Sequence, residues 1–206
     1  SGFVVSPHAS AFPFSGAVEF NSRESPRAGI AGMYCQRTGS RAFMAVGAAG
    51  GAVYTSIKKG ATQPWLHMSA MVEAASARLG EKCVASVLIH GESDHGAGTT
   101  RATYKANIFE LQTDLAAKCR DVGAINYDTP MYVDQFSSWT SSYFAGTNTT
   151  SVIPLAVYDA ARERPGRVVL AQPHYWAAHG ADVHFTNAGS RSVGAKIGQV
   201  IAHGSS

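Results

Sequence analysis

The chain has 206 residues, enough for one domain that buries roughly 70% of the surface exposed in its unfolded form. Its net charge of +3 is spread along the sequence without a basic block, and no apolar run approaches about 18 residues. Composition therefore indicates neither a nucleic-acid partner nor a membrane span. The low charged fraction of 15% favours a secreted or particle-surface protein over a cytosolic one.

The first part of the sequence predicts one helix and one strand that ends in a glycine-rich loop. Residues 1–24 show no helical period, and we expect an ordered loop there with one short strand. Ser25 and the proline after it are typical of a helix start, and Gly39 is typical of a helix end. A strand predicted from Ala42 to Val46 leads into Gly47 to Gly51, a cluster that fits either a ligand-binding loop or a plain turn.

The middle of the sequence predicts two helices on either side of a strand that ends in polar residues. The first helix opens at Pro64, and Thr100 caps the second. Between them, Ala85 to Ile89 is an apolar run of the kind found in strands buried on both faces. It leads directly into His90 to His95, whose imidazole, carboxylate and hydroxyl groups fit a ligand site at a strand end or a solvated turn.

The last part predicts two more strands and two more helices. One strand, Pro130 to Val133, delivers Asp134 and Gln135, and the other runs from Arg167 to Ala171. Helices are predicted from about Val152 to Arg162 and after a cap at Thr186 or Asn187. A polar loop before the last helix contains His174, His179, Asp182 and His184. The alternation of strands and helices predicts a single domain with a parallel sheet covered on both faces.

The three cysteines show no metal-binding or redox spacing. Cys35, Cys83 and Cys119 are an odd number, and each lies among apolar or helical residues. We interpret them as small buried hydrophobic residues, and a Cys83–Cys119 disulfide stays open as the alternative.

Groups suited to hydrolysis follow successive predicted strands. Gly50 and Gly51 follow one strand, the His90 to Asp94 segment follows the next, and Asp182 and His184 lie in the last loop. In a parallel sheet these strand ends share one edge. Glycine amides, carboxylates and an Asp-x-His pair are components of a hydrolase: oxyanion donors, a positioning acid and an oriented general base. A nucleophile in an obvious setting is missing.

The polar blocks resemble those of the SGNH hydrolase superfamily, in its branch of carbohydrate O-acetylesterases and sialate O-acetylesterase-like proteins. His90-Gly91-Glu92-Ser93-Asp94 is similar to the family's Gln-Gly-Glu-Ser-Asp block, and the run from Asp182 to Gly189 is similar to its last block, Asp-x-x-His-Leu-Thr-x-x-Gly. Gly50-Gly51-Ala52 resembles its Gly-Gly-Thr block. Ser56 to Gly60 and Asp134 to Ser138 resemble segments of a bacteriophage-tail and bacterial subgroup. The likeness extends from about Glu24 to Val200.

This resemblance implies a three-layer α/β/α sandwich with a mostly parallel, flavodoxin-like sheet, and serine esterase chemistry without metal or cofactor. His184 would be the general base, and Asp182 would orient it. Gly50 and Gly51 would supply oxyanion amides. The residues expected to complete the substrate and oxyanion side are His90, Glu92 and Ser93. The implied partner is an acylated carbohydrate or polysaccharide, and the implied location is extracellular or on a virion surface.

Three departures from the family pattern affect this hypothesis. The Gly-x-Ser block that carries the family's nucleophile is not found, so we expect residues 1–206 to form an N-terminally incomplete domain that is inactive alone and is completed by a companion segment or a larger particle. Asp182 lies two residues before His184 rather than three, and Ser93 replaces an asparagine that donates to the oxyanion.

Two other functions are consistent with the residues. The first is a non-catalytic carbohydrate-binding or adhesin domain that kept the esterase fold and lost its serine. The second is a metal site, because the ligand types of the last polar loop suit zinc, although their spacing matches no closed zinc motif. The candidate ligands are His174, His179, Asp182 and His184.

Overall fold

A computed structural model describes residues 2–5, 25–61, 63–80, 82–123, 127–136, 152–180 and 184–204. The strands are β1 (Gly2–Val5), β2 (Phe43–Val46), β3 (Cys83–Leu88), β4 (Met131–Gln135) and β5 (Val168–Pro173). The α-helices are α1 (Arg27–Thr38), α2 (Gln63–Leu79), α3 (Glu92–Gly96), α4 (Arg101–Gly123), α5 (Val152–Glu163) and α6 (Asn187–Gly204), and a short 3₁₀ helix covers Tyr54–Ser56. None of the described helices is long and apolar enough to cross a bilayer.

The strands form one sheet in the order β2-β1-β3-β4-β5, which is the flavodoxin-like order. β3, β4 and β5 are parallel, and β1 is antiparallel to both of its neighbours. Because β1 opposes both β2 and β3, β2 runs in the same direction as β3. The predicted three-layer α/β/α sandwich with a mostly parallel sheet is therefore confirmed, with β1 as the one described strand that runs the other way.

The helices bury apolar stripes on the two faces of the sheet. Helices α2, α4 and α5 pack on one face, and α1 and α6 pack on the other. The stripe of α4 is fully buried, as its spacing predicted; its members are Tyr104, Ile108, Leu111, Leu115 and Cys119. Glycines at positions 29, 194 and 198 let α1 and α6 approach closely, because a Cβ at Gly194 would lie 2.1 Å from the Pro26 carbonyl oxygen.

Two helix starts follow from hydroxyl caps that the sequence predicted. The Thr100 hydroxyl accepts a hydrogen bond of 3.2 Å from the Thr103 backbone N–H at the start of α4. The Thr186 hydroxyl accepts one of 3.1 Å from the Gly189 backbone N–H at the start of α6. Both satisfy backbone donors that the first helical turn leaves without an intrahelical partner.

A disulfide joins Cys83 on β3 to Cys119 on α4, with 5.6 Å between their Cα atoms. The interpretation of these two residues as small hydrophobic side chains is therefore wrong, and the alternative is correct. Cys35 is a free thiol. The sequence could not decide between the two interpretations because both describe buried cysteines in apolar elements.

Candidate functional site

The loops that contain the predicted site residues leave one edge of the sheet. Val46 at the end of β2 and Val87 near the end of β3 both pair with Gly2. At the ends of β4 and β5, Asp134 pairs with Gln172. The glycine loop, the His90 segment and the loop after β5 therefore all follow carboxyl ends of strands, where α/β sheets bind ligands. β1 ends at the opposite edge, because Val5 pairs with residues at the beginning of its neighbours.

A glycine makes the sharp turn from β3 into α3. Gly91 has a φ of +145°, a backbone conformation that residues with a side chain rarely adopt. A Cβ there would also lie 2.9 Å from Cγ2 of Ile153. The turn brings Glu92 and Ser93 into the first turn of α3, where both are half-buried. The His95 backbone N–H donates to the Gly91 carbonyl over 2.8 Å, which closes this turn.

Asp94 connects this turn to the segment that follows the glycine loop. Its side chain is 2% exposed, and Oδ2 accepts a hydrogen bond of 2.8 Å from the Tyr54 backbone N–H. Oδ1 accepts a second hydrogen bond of 2.9 Å from the Thr99 hydroxyl. The carboxylate therefore holds the first residue of the 3₁₀ helix against α3.

His90 forms a second connection to the glycine loop. Its Nε2 lies 2.9 Å from the Ala52 carbonyl oxygen, and its Nδ1 lies 2.9 Å from the Tyr104 hydroxyl. A carbonyl only accepts, so Nε2 carries the proton, and the single proton of the Tyr104 hydroxyl is shared between Nδ1 and the His90 carbonyl oxygen, 3.0 Å away. Burial lowers the pKa of His90, which favours this neutral ring, although the nearby Asp94 acts in the opposite direction. Both ring nitrogens face inward, Nε2 to Ala52 and Nδ1 to Tyr104, and a contact of His90 with substrate stays a prediction.

Gly50 and Gly51, expected to supply oxyanion amides, lie in the chain between the end of β2 and the hydrogen-bonded residues Ala52 and Tyr54. Gly51 adopts the left-handed region, with a φ of +68°, and both Gly50 and Gly51 are exposed with open space around them. Earlier in the loop, Gly47 is closely packed, because a Cβ there would lie 2.3 Å from the Pro64 carbonyl oxygen. The loop is thus fixed at Gly47 and Ala52 and is open to solvent between them.

A buried hydrogen-bonded pair of Asp134 and His174 lies at the same edge. The Asp134 carboxylate at the end of β4 binds Nδ1 of His174, which directly follows β5, and each side chain is 1% exposed. The His174 ring contacts the rings of Phe136 and Phe185 edge-on, with centroids 6.0 and 4.8 Å away. Sequence reasoning noted both polar residues near this edge but missed the pair. The signal that could have found it is their shared position at adjacent strand ends.

Two short segments after β5, residues 178–180 and 184–186, pair with each other, and we call this pair of segments the His184 hairpin. His179 pairs with Phe185 in an antiparallel bridge, and the Gly180 backbone N–H donates to the His184 carbonyl over 2.9 Å. The Thr186 backbone N–H closes the hairpin with a hydrogen bond of 2.9 Å to the Ala178 carbonyl. His184 is exposed, and the ring of its neighbour Phe185 packs against the buried ring of His174.

Asp182, the residue expected to orient His184, lies outside the described part of the chain. Ser137 and Ser138, from the segment that resembles the bacteriophage-tail subgroup, lie outside it as well. Among the described residues, no group of three or more histidine, cysteine or acidic side chains could hold a metal ion. His174, one of the four residues considered for zinc, pairs with Asp134 instead.

Comparison with known proteins gives information on the fold alone. No protein-family model and no curated protein matches the chain. A crystal structure of an Arabidopsis thaliana protein, determined at 1.6 Å resolution, is similar to it with a TM-score of 0.56 and 16% sequence identity. The similarity covers 75% of this chain and 58% of the Arabidopsis chain. The chain thus spans less than two thirds of that protein, and the similarity supports the α/β sandwich.

Proposed function

We propose that the protein is a serine esterase of the SGNH hydrolase superfamily that removes O-acetyl or similar acyl groups from carbohydrate. The observation that supports this most is the hydrogen bonding between the segment after β3 and the glycine loop, through His90 to Ala52 and Asp94 to Tyr54. Oxyanion donors stabilise a transition state only when the protein holds them before reaction. The half-buried His90 and the buried Asp94 hold the chain at the exit of the glycine loop, and this gives the preorganisation a physical basis.

In the proposed reaction, His184 accepts the hydroxyl proton of a serine as the serine oxygen attacks the acyl carbonyl carbon. The backbone N–H groups of Gly50 and Gly51 stabilise the negative charge on the carbonyl oxygen. His184 then donates the proton to the sugar oxygen, which leaves as a free hydroxyl. Water attacks the acyl-serine in the same way and releases the carboxylic acid and the serine. Asp182 accepts a hydrogen bond from the imidazole nitrogen of His184 that does not face the serine, and so keeps a proton on it. Glu92 and Ser93 contact the substrate.

Acetate release from an O-acetylated oligosaccharide tests this proposal. The assay uses the 206-residue chain and the same chain with a strand-turn segment containing Gly-x-Ser fused before Ser1. We expect activity in the fused form, and a drop of several orders of magnitude with His184→Ala. His67→Ala is the matched control, because His67 is an exposed histidine on α2 and should leave the rate unchanged.

Two results would contradict the proposal. One is a folded His184→Ala protein with turnover near that of the parent. The other is no acetate release by either form while circular dichroism shows the native fold, which would favour the non-catalytic carbohydrate-binding alternative.

A further inference from the structure

Two aromatic side chains project from a turn beside the His184 hairpin. Tyr175 is 70% exposed and Trp176 is 46% exposed, whereas the residues on either side of them, His174 and Ala177, are buried. The Ala177 backbone N–H donates to the His174 carbonyl over 3.0 Å, so the two aromatics occupy the central positions of a tight turn. Burial of the turn's ends forces its two largest side chains into solvent.

The turn is anchored more firmly than an ordinary surface loop. Its first residue, His174, forms the buried hydrogen-bonded pair with Asp134, and its ring contacts Phe136 and Phe185. The His174 backbone N–H also donates to the Gln135 carbonyl over 3.2 Å. An aromatic pair on such a support loses little conformational entropy when a ligand binds, which is the general advantage of a preorganised site.

We infer that Tyr175 and Trp176 form a platform that binds the face of a neutral sugar ring. The faces of aromatic rings carry partial negative charge, and the axial C–H groups of a pyranose carry partial positive charge, so the two surfaces attract each other while both lose apolar contact with water. The Tyr hydroxyl and the Trp indole N–H remain available for sugar hydroxyls.

The charge around the platform favours a neutral ligand over an anionic one. The described residues of this loop, 174–180 and 184–186, include histidines but no lysine, arginine, aspartate or glutamate. A site that binds a bilayer surface usually has basic side chains beside its aromatic residues, and a site for phosphate or carboxylate ligands has cationic partners for them. The choice of a sugar over a protein partner rests on the proposed function. The turn that carries the platform begins at His174, whose ring lies 4.8 Å, centroid to centroid, from that of Phe185, the residue after His184.

Binding of sugars without acyl groups tests the platform separately from catalysis. The 206-residue protein is titrated with cellohexaose, xylohexaose and N-acetylchitohexaose as neutral probes, and with hexagalacturonic acid as an anionic probe, by calorimetry and by affinity electrophoresis. We expect at least one neutral probe to bind and the anionic probe to bind more weakly. Trp176→Ala and Tyr175→Ala should each weaken binding about fivefold or more, and Trp176→Phe should keep most of it.

Tyr158→Ala is the matched control, because Tyr158 on α5 is 45% exposed, close to the value for Trp176, and should leave binding unchanged. These probes carry no ester for the enzyme to hydrolyse, so their binding tests the platform separately from the esterase proposal. If the protein with the fused Gly-x-Ser segment binds sugar but releases no acetate, that result would contradict the esterase proposal alone. The platform is overturned if no neutral probe binds, if both alanine variants bind like the parent, if the anionic probe binds best, or if the aromatics mediate vesicle binding or self-association instead.

Discussion

Removal of His174 alone should destabilise the protein more than removal of both partners of the buried Asp134–His174 pair. Each side chain is 1% exposed, so solvent screens neither group. Within the described part of the chain, Asp134 Oδ1 has no hydrogen-bond partner, and His174 is therefore the main support of the carboxylate. A carboxylate left in this position without its imidazole has no route to water.

The expected free energies follow from this geometry. His174→Phe leaves a buried carboxylate without its partner, which should lower the free energy of unfolding by about 3–5 kcal/mol. Asp134→Val leaves a neutral imidazole that has lost one hydrogen bond, at a cost of about 1–3 kcal/mol. The double variant replaces the pair by apolar groups among the rings of Phe136 and Phe185 and should lie within about 2 kcal/mol of the parent. The two single losses therefore add to more than the double loss by about 2 kcal/mol or more.

Urea denaturation at neutral pH, followed by far-ultraviolet circular dichroism, measures all four proteins of this cycle. The slope of unfolding free energy against urea should be the same in each, so that the midpoints report stability. If the losses from the two single substitutions add to that of the double variant within about 0.5 kcal/mol, the two side chains do not interact and the argument is wrong.

Two further predictions concern the disulfide and the pH dependence of stability. The disulfide closes a loop with a sequence separation of 36, so the double variant Cys83→Ala/Cys119→Ala should lose about 4 kcal/mol of unfolding free energy in urea denaturation. Cys35→Ala, which removes the free thiol, is the control. Dithiothreitol should destabilise the parent but not the double variant, and an equal effect on both would contradict this. Because burial lowers the pKa of His90, the unfolded chain gains a proton that the folded protein does not bind as pH falls below about 6.5. Stability is therefore complete above that pH and decreases below it by at most about 1.4 kcal/mol per pH unit for this group. His90→Gln should reduce the decrease measured between pH 7 and 5, and an identical pH profile would refute this role of burial.

The sequence predicted the sandwich because its signals are local. Helical stripes, hydroxyl caps and apolar runs each report one element, and their alternation limits the topology to a covered parallel sheet. The direction of β1 is not local information. Gly2–Val5 forms its hydrogen bonds with two strands far along the chain, and either direction would fill the same position in the sheet.

The orientation of polar side chains at strand ends was also beyond the sequence. β3 is buried along most of its length, so no alternation of polar and apolar residues indicates which way His90 points after it. The Asp134–His174 pair depends on the register between β4 and β5, which shifts between Val133 and Asp134. A shift of one residue reverses the side of the sheet to which a side chain points, and the sequence does not show such a shift.

The contacts also divide the family-like blocks into residues required for folding and residues left for chemistry. In the last block, Thr186 caps α6, and a Cβ at Gly189 would lie 2.0 Å from the Ala178 carbonyl oxygen. Folding alone therefore explains why these two residues are a threonine and a glycine. In the block after β3, the turn at Gly91 and the inward hydrogen bonds of Asp94 are explained in the same way. The side chain of His184 is exposed, and in the proposed reaction it is the general base. Substitution of His184 therefore distinguishes an esterase from an inactive protein of the same fold, whereas loss of function after substitution of the folding residues would not.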